Sequence, residues 1–129
     1  MKIKWFCRNF IIFIIFSLSY YLLEILWRGY SHWTMMILGG ICGLLIGLIN
    51  EITPTMKVWQ QMLLGSIIVT ILEFIGGCIL NIWLGLGIWN YSNMPFNILG
   101  QVCLVYTILW FLLSYVVIWL DDKIREKLK

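Results

Sequence analysis

Residues 58–83 read VWQQMLLGSIIVTILEFIGGCILNIW, an apolar run long enough to cross a bilayer that carries one charged side chain, Glu73. Such a run in lipid must satisfy its own backbone, so helix is the reading. An open sheet would leave an unpaired edge, and the chain has too few segments for a barrel. Working outward, comparable stretches give spans at about 10–27, 33–49, 58–82 and 96–120. Of the 129 residues, 62% are hydrophobic and 12% charged, whereas soluble domains carry about a quarter charged residues. The expected fold is therefore all-α: a polytopic membrane protein of four transmembrane helices, filling one transmembrane domain over residues 1–129.

Basic residues set the expected orientation. Lys2, Lys4 and Arg8 precede the first span, Lys57 lies in the second connection, and Lys123, Arg125, Lys127 and Lys129 follow the last. The positive-inside rule then puts both termini on the cytoplasmic side of the cell membrane. Trp27, Tyr30, Trp33, Trp83, Trp89 and Tyr91 fall near the opposite boundary, where amphipathic rings collect. The basic start followed by FIIFIIFSLSYYLL lacks a small-residue cleavage site, so it reads as a first span and not as a secretory leader. The net charge of +3 belongs to the ends and speaks for anionic headgroups, with no case for nucleic acid. Cys7, Cys42, Cys78 and Cys103 show no C-x-x-C and no histidine at ligand spacing, so neither a metal nor a cofactor is expected. Their default reading is as small buried hydrophobes, with Cys78 and Cys103 near enough in depth to leave a disulfide open.

Polar groups at membrane depth carry the chemistry, because a carboxylate there must be paired, protonated or hydrated. Glu73 sits in the middle of its span, and Gly77 and Asn81 follow at i+4 and i+8, drawing a narrow polar stripe. Glu24 and Arg28, also i and i+4, form a pair at the end of the first span that reads as a clip or as part of an outer pocket with His32. Gly39, Gly43 and Gly47 repeat at i+4 on the second span and mark a close helix contact, with another span or with a second copy of the chain.

Residues 81–101, NIWLGLGIWNYSNMPFNILGQ, are too polar for a span and too apolar for an ordinary loop. The YSNMP run resembles a helix start, with Ser92 or Asn93 as cap and Pro95 in the first turn. On that reading Asn97 and Gln101 share one face of the fourth helix and meet Glu73 and Asn81 beneath a cover made by Trp89 and Tyr91. The expected site is an outward-facing polar pocket, since irregular backbone at this depth is tolerated beside a wet cavity.

RGYSHWTM, GLINE, the run from Met62 to Cys103 and WFLLSYVVIWLDD together resemble a family of small bacterial membrane proteins described as CmpB-like ABC-transporter permeases, which also has animal relatives. The most specific part is W-x-Y-S-N-x-P-x-N-x-x-G-Q, residues 89–101, and the resemblance spans about 24–122. It implies a four-helix integral membrane protein and little about mechanism. The chain holds no P-loop, and its connection at 50–57 is too short for a docking helix, so the residues do not support an ATPase partner. Three functions follow from the residues. The favoured one is binding or translocation of a small solute, in an oligomer because four helices enclose little space, with Glu73 as the cation or proton site. The alternatives are an enzyme acting on a membrane lipid or isoprenoid through Glu73 or Glu24 with His32, and an accessory subunit in which the polar residues only hold helices together.

Overall fold

The computed structural model describes residues 2–128. Four helices, α1 (Lys2–Arg28), α2 (Trp33–Ile52), α3 (Val58–Gly77) and α4 (Leu104–Lys127), are each long and apolar enough to cross a membrane. No strand forms among the described residues, only an isolated bridge between Ile98 and Val102. A π-helical turn, Cys78–Trp83, prolongs α3, and residues 84–103 are irregular. The all-α, four-span architecture is as the apolar runs require. Two compact units partition the chain: Met1–Thr55 with Val116–Lys129, and Met56–Tyr115.

In the first unit α2 lies against α1 through its glycines. A Cβ on Gly39 would stand 2.6 Å from Cβ of Tyr20, and one on Gly43 would stand 2.5 Å from Cγ of Phe16. Gly40 abuts Ser17 and Phe13 in the same way. The i+4 stripe thus lets two spans of one chain approach closely, which is where helix packing in lipid finds its dispersion energy. Gly47 extends the stripe but faces α4, against the carboxylate of Asp121. The hairpin between α1 and α2 turns at Gly29, whose φ of +86° only glycine adopts without strain. His32 then caps α2: its Nδ1 accepts from the Thr34 backbone N–H at 3.3 Å and lies 2.7 Å from the Thr34 hydroxyl.

In the second unit α3 begins at Lys57, where the Gln60 side chain accepts from the Lys57 backbone N–H at 3.1 Å. Ser66, Thr70 and Glu73, one face of α3, meet the first turns of α4. The Ser66 hydroxyl donates to the Thr107 carbonyl at 2.7 Å, and the Thr70 and Thr107 hydroxyls are 3.0 Å apart.

The fourth helix starts at Leu104 and not at Phe96, which corrects the expected boundary. Phe96, Leu99 and Gly100 have φ of +56°, +54° and +72°, values that no α-helix contains. The YSNMP run caps no helix; it opens a turn, with Ser92 N–H and hydroxyl both on the Asn90 side-chain oxygen. Asn97 closes the next turn, donating to the Met94 carbonyl at 2.8 Å and accepting from Gly100 N–H at 3.0 Å. At its other end α4 runs past Leu120 to Lys127, so Asp121, Asp122 and Arg125 are helical.

Candidate functional site

Glu73 is 5% exposed, and both carboxylate oxygens accept from polar aromatic donors. The Tyr91 hydroxyl donates to Oε2 at 2.9 Å, and Trp110 Nε1–H donates to Oε1 at 3.2 Å. Tyr91 comes from the irregular segment and Trp110 from α4, so two elements close on one side chain of α3. Tyr106 lies between them, stacked on Tyr91 at 4.9 Å between ring centroids and tilted against Trp110 at 6.2 Å. A carboxylate can only accept when ionised, and O–H and N–H donors suit that form. The result is a buried anion-capable group ringed by aromatic side chains.

One turn further along the same face, Gly77 admits the irregular segment. A Cβ there would stand 2.5 Å from Gln101 Oε1 and 3.0 Å from the Trp89 ring. Beyond it Asn81 binds the segment directly. Its Nδ2 donates to Gln101 Oε1 at 2.8 Å, and its Oδ1 accepts from the backbone N–H of Ile88 at 2.6 Å and of Trp89 at 3.4 Å. Gln101 in turn donates to the Leu99 carbonyl at 2.9 Å, and its own carbonyl receives Trp89 Nε1–H at 2.9 Å. Irregular backbone has no ladder of its own, so each buried group needs such a partner. Trp89 and Gln101 are both 5% exposed, held inside the segment.

The stripe Glu73, Gly77, Asn81 therefore does face the segment that carries Tyr91 and Gln101, but the four expected polar residues do not converge as one wall. Gln101 meets Asn81, and it does so from a coil, which replaces the expected helical i, i+4 face shared with Asn97. Asn97 is spent on its own turn, on Met94, Ser92 and Gly100. Trp89 is a buried anchor, whereas Trp83 is 78% exposed in the manner expected of a boundary aromatic.

Glu24, Arg28 and His32 belong to the first unit. Arg28 Nε lies 3.1 Å from Glu24 Oε2, the Tyr20 hydroxyl donates to Glu24 Oε1 at 3.0 Å, and the guanidinium sits 4.6 Å over the Tyr30 ring. His32 stacks on Trp33 at 5.6 Å while it caps α2. All four cysteines are free thiols, so the Cys78–Cys103 pairing is not made.

Trp110 and Tyr106 adjoin Glu73 and Tyr91 and were not singled out from the sequence. The signal was present: Thr70 and Glu73 are three residues apart on α3, and Thr107 and Trp110 repeat that spacing on α4. A second omission is the polar cluster at the start of α1 and the ends of α2 and α4. There Arg125 donates to Asp121 Oδ2 at 2.8 Å and to Asn9 Oδ1 at 2.9 Å, and Asn50 donates to Asp122 at 2.8 Å.

A family model described as "Putative ABC-transporter type IV" matches residues 11–128. Among curated proteins and among solved structures nothing matches the chain.

Proposed function

The chain belongs to the family described as "Putative ABC-transporter type IV", and from that premise we propose that it binds or translocates a small cationic or zwitterionic solute at Glu73. The observation that carries the reading is a carboxylate in the middle of a membrane-spanning helix, 5% exposed, with each oxygen held by a side-chain donor from a different element. A packing contact between apolar helices needs no ionisable group, and placing one at this depth is costly. A cation or proton arriving at the carboxylate offsets that cost, and the Tyr91, Tyr106 and Trp110 rings offer π-faces to an organic cation. Asn81, Gln101, Trp89 and Asn97 act as the scaffold that brings Tyr91 to Glu73. The proposed site lies within the second unit.

Reconstituted full chain tests the proposal, with a panel of alkali cations and protonated amines scored by thermal protection and by liposome flux. One or more should protect the parent protein, Glu73→Gln should abolish protection and flux, and Glu73→Asp should retain part of both. Protection and flux surviving in Glu73→Gln would refute the site. So would a Glu73→Gln protein altered only in stability or assembly while no probe binds the parent, which would leave the carboxylate a packing group.

A further inference from the structure

The two oxygens of Glu73 are held by donors of different capacity. Trp110 Nε1–H, 3.2 Å from Oε1, can only donate, whereas the Tyr91 hydroxyl, 2.9 Å from Oε2, can donate or accept. Oε1 is therefore fixed as an acceptor. Oε2 is not: at a separation that suits a hydrogen bond in both directions, it can accept from Tyr91 as a carboxylate oxygen or donate to Tyr91 as the O–H of an acid. The pair accommodates both charge states of Glu73 by a turn of the phenol hydrogen alone.

Depth gives both states a use. Glu73 is 5% exposed and lies within a membrane-spanning helix, where charge is costly. The titratable groups near it are the phenols of Tyr91 and Tyr106, while Lys57, the other charged side chain of the second unit, caps α3 about 24 Å away along the helix axis. A neutral acid and a carboxylate with a cation against it are the two forms that lower the cost. A proton given up by Oε2 also has a way out. Tyr91 is half-exposed, and its chain neighbours Asn90, Ser92 and Asn93 are exposed polar residues, so water can accept from the Tyr91 hydroxyl while that hydroxyl accepts from Glu73.

We infer that Glu73 carries a proton on Oε2 while its site is empty and releases it through Tyr91 when an organic ammonium ion arrives, so that the site exchanges one cation for one proton. The exchange rests on cation binding at Glu73 as proposed above and adds the ion that leaves. In the step, the Oε2–H bond breaks, its proton passes to the Tyr91 oxygen, and the Tyr91 hydroxyl proton passes to water. The carboxylate keeps the electron pair and faces the incoming charge, so the site is neutral before and after. N–H, O–H and ring faces surround the carboxylate, which suits an ammonium ion better than a hard metal ion coordinated by several oxygens.

Purified full chain in weakly buffered detergent micelles, mixed with tetramethylammonium, tests the exchange, because this cation has no proton of its own to give. Binding followed by calorimetry, with a pH-indicator dye in parallel, should show about one proton released per cation bound. The dissociation constant should rise about tenfold for each unit by which pH is lowered where the acid form prevails, since one proton competes for the site. Infrared difference spectra between the parent and Glu73→Gln should show a carboxylic acid C=O band that tetramethylammonium abolishes. Trp110→Phe and Tyr91→Phe should each move that band, the first by removing the donor to the acid's carbonyl and the second by removing the acceptor of its O–H. The proton count needs only the parent protein, so it decides the matter even where a variant fails to fold. Binding without proton release, or with affinity independent of pH, overturns the exchange and leaves Glu73 a permanently ionised cation site. A band unmoved in both folded aromatic variants overturns the assignment of the proton to Oε2. Absence of tetramethylammonium binding also overturns the exchange, and the solute proposal is then judged separately by the wider panel of cations.

Discussion

Replacing Arg125 by methionine should be among the most damaging single changes in the first unit. The side chains of Arg125 and Asp121 are 7% and 0% exposed, and the same guanidinium also serves Asn9. Removing one partner of a buried pair leaves an uncompensated charge and typically costs 3–5 kcal/mol; the orphaned Asn9 oxygen adds about 1 kcal/mol. Arg125→Met should therefore lose about 4–6 kcal/mol, and Asp121→Asn somewhat less. The double variant removes both charges together and should fall short of the sum of the singles by about 2 kcal/mol, because the expensive species, a lone buried ion, is absent. The assay is reversible unfolding of the full chain in mixed detergent micelles with chelator present, read by tryptophan fluorescence and circular dichroism. A single-variant loss below about 1 kcal/mol, the range of solvated pairs, or strict additivity in the double variant, would show that the pair does not sit in a desolvated environment.

Two further outcomes follow from the packing. Gly43→Ala places a methyl group 2.5 Å from Cγ of Phe16 and should cost about 1–3 kcal/mol in the same unfolding assay, with no loss meaning that α1 and α2 stand further apart. Asn81→Leu removes the acceptor of the Ile88 N–H and the donor to Gln101; amide exchange should rise through residues 84–103 while α1 and α2 keep their protection, and a uniform rise would count against a local role.

The helices were legible because lipid imposes a simple rule: about 20 apolar residues per crossing and no unpaired backbone. The glycine stripe and Glu73 were legible for the same reason, each being an exception within an apolar run. What misled was residues 92–101. Ser92, Asn93 and Pro95 have the chemistry of a helix start, but the same residue types build turns, and Asn97 with a left-handed Gly100 decides for the turn. That choice depends on Gln101 and Trp89 being drawn inward by Asn81, a contact across 20 residues that no local pattern encodes. The cluster around Asp121 was hidden differently. Asn9, Glu51 and Asp121 each look like ordinary boundary residues, and their meeting depends on which helix ends touch.

The π-helical turn at Cys78–Trp83 gives α3 a place where chain length is negotiable. Such a turn holds a residue in excess of the α-helical register, so a one-residue deletion there can be absorbed by reverting to tighter winding. A deletion nearer the centre of α3 has no such outlet: every side chain beyond it would swing by about 100°, one residue's share of a helical turn, and Glu73 would be turned out of its aromatic surround. A one-residue gap is thus tolerable within residues 78–83 where Asn81 keeps its contact with Gln101, and ruinous ahead of Glu73.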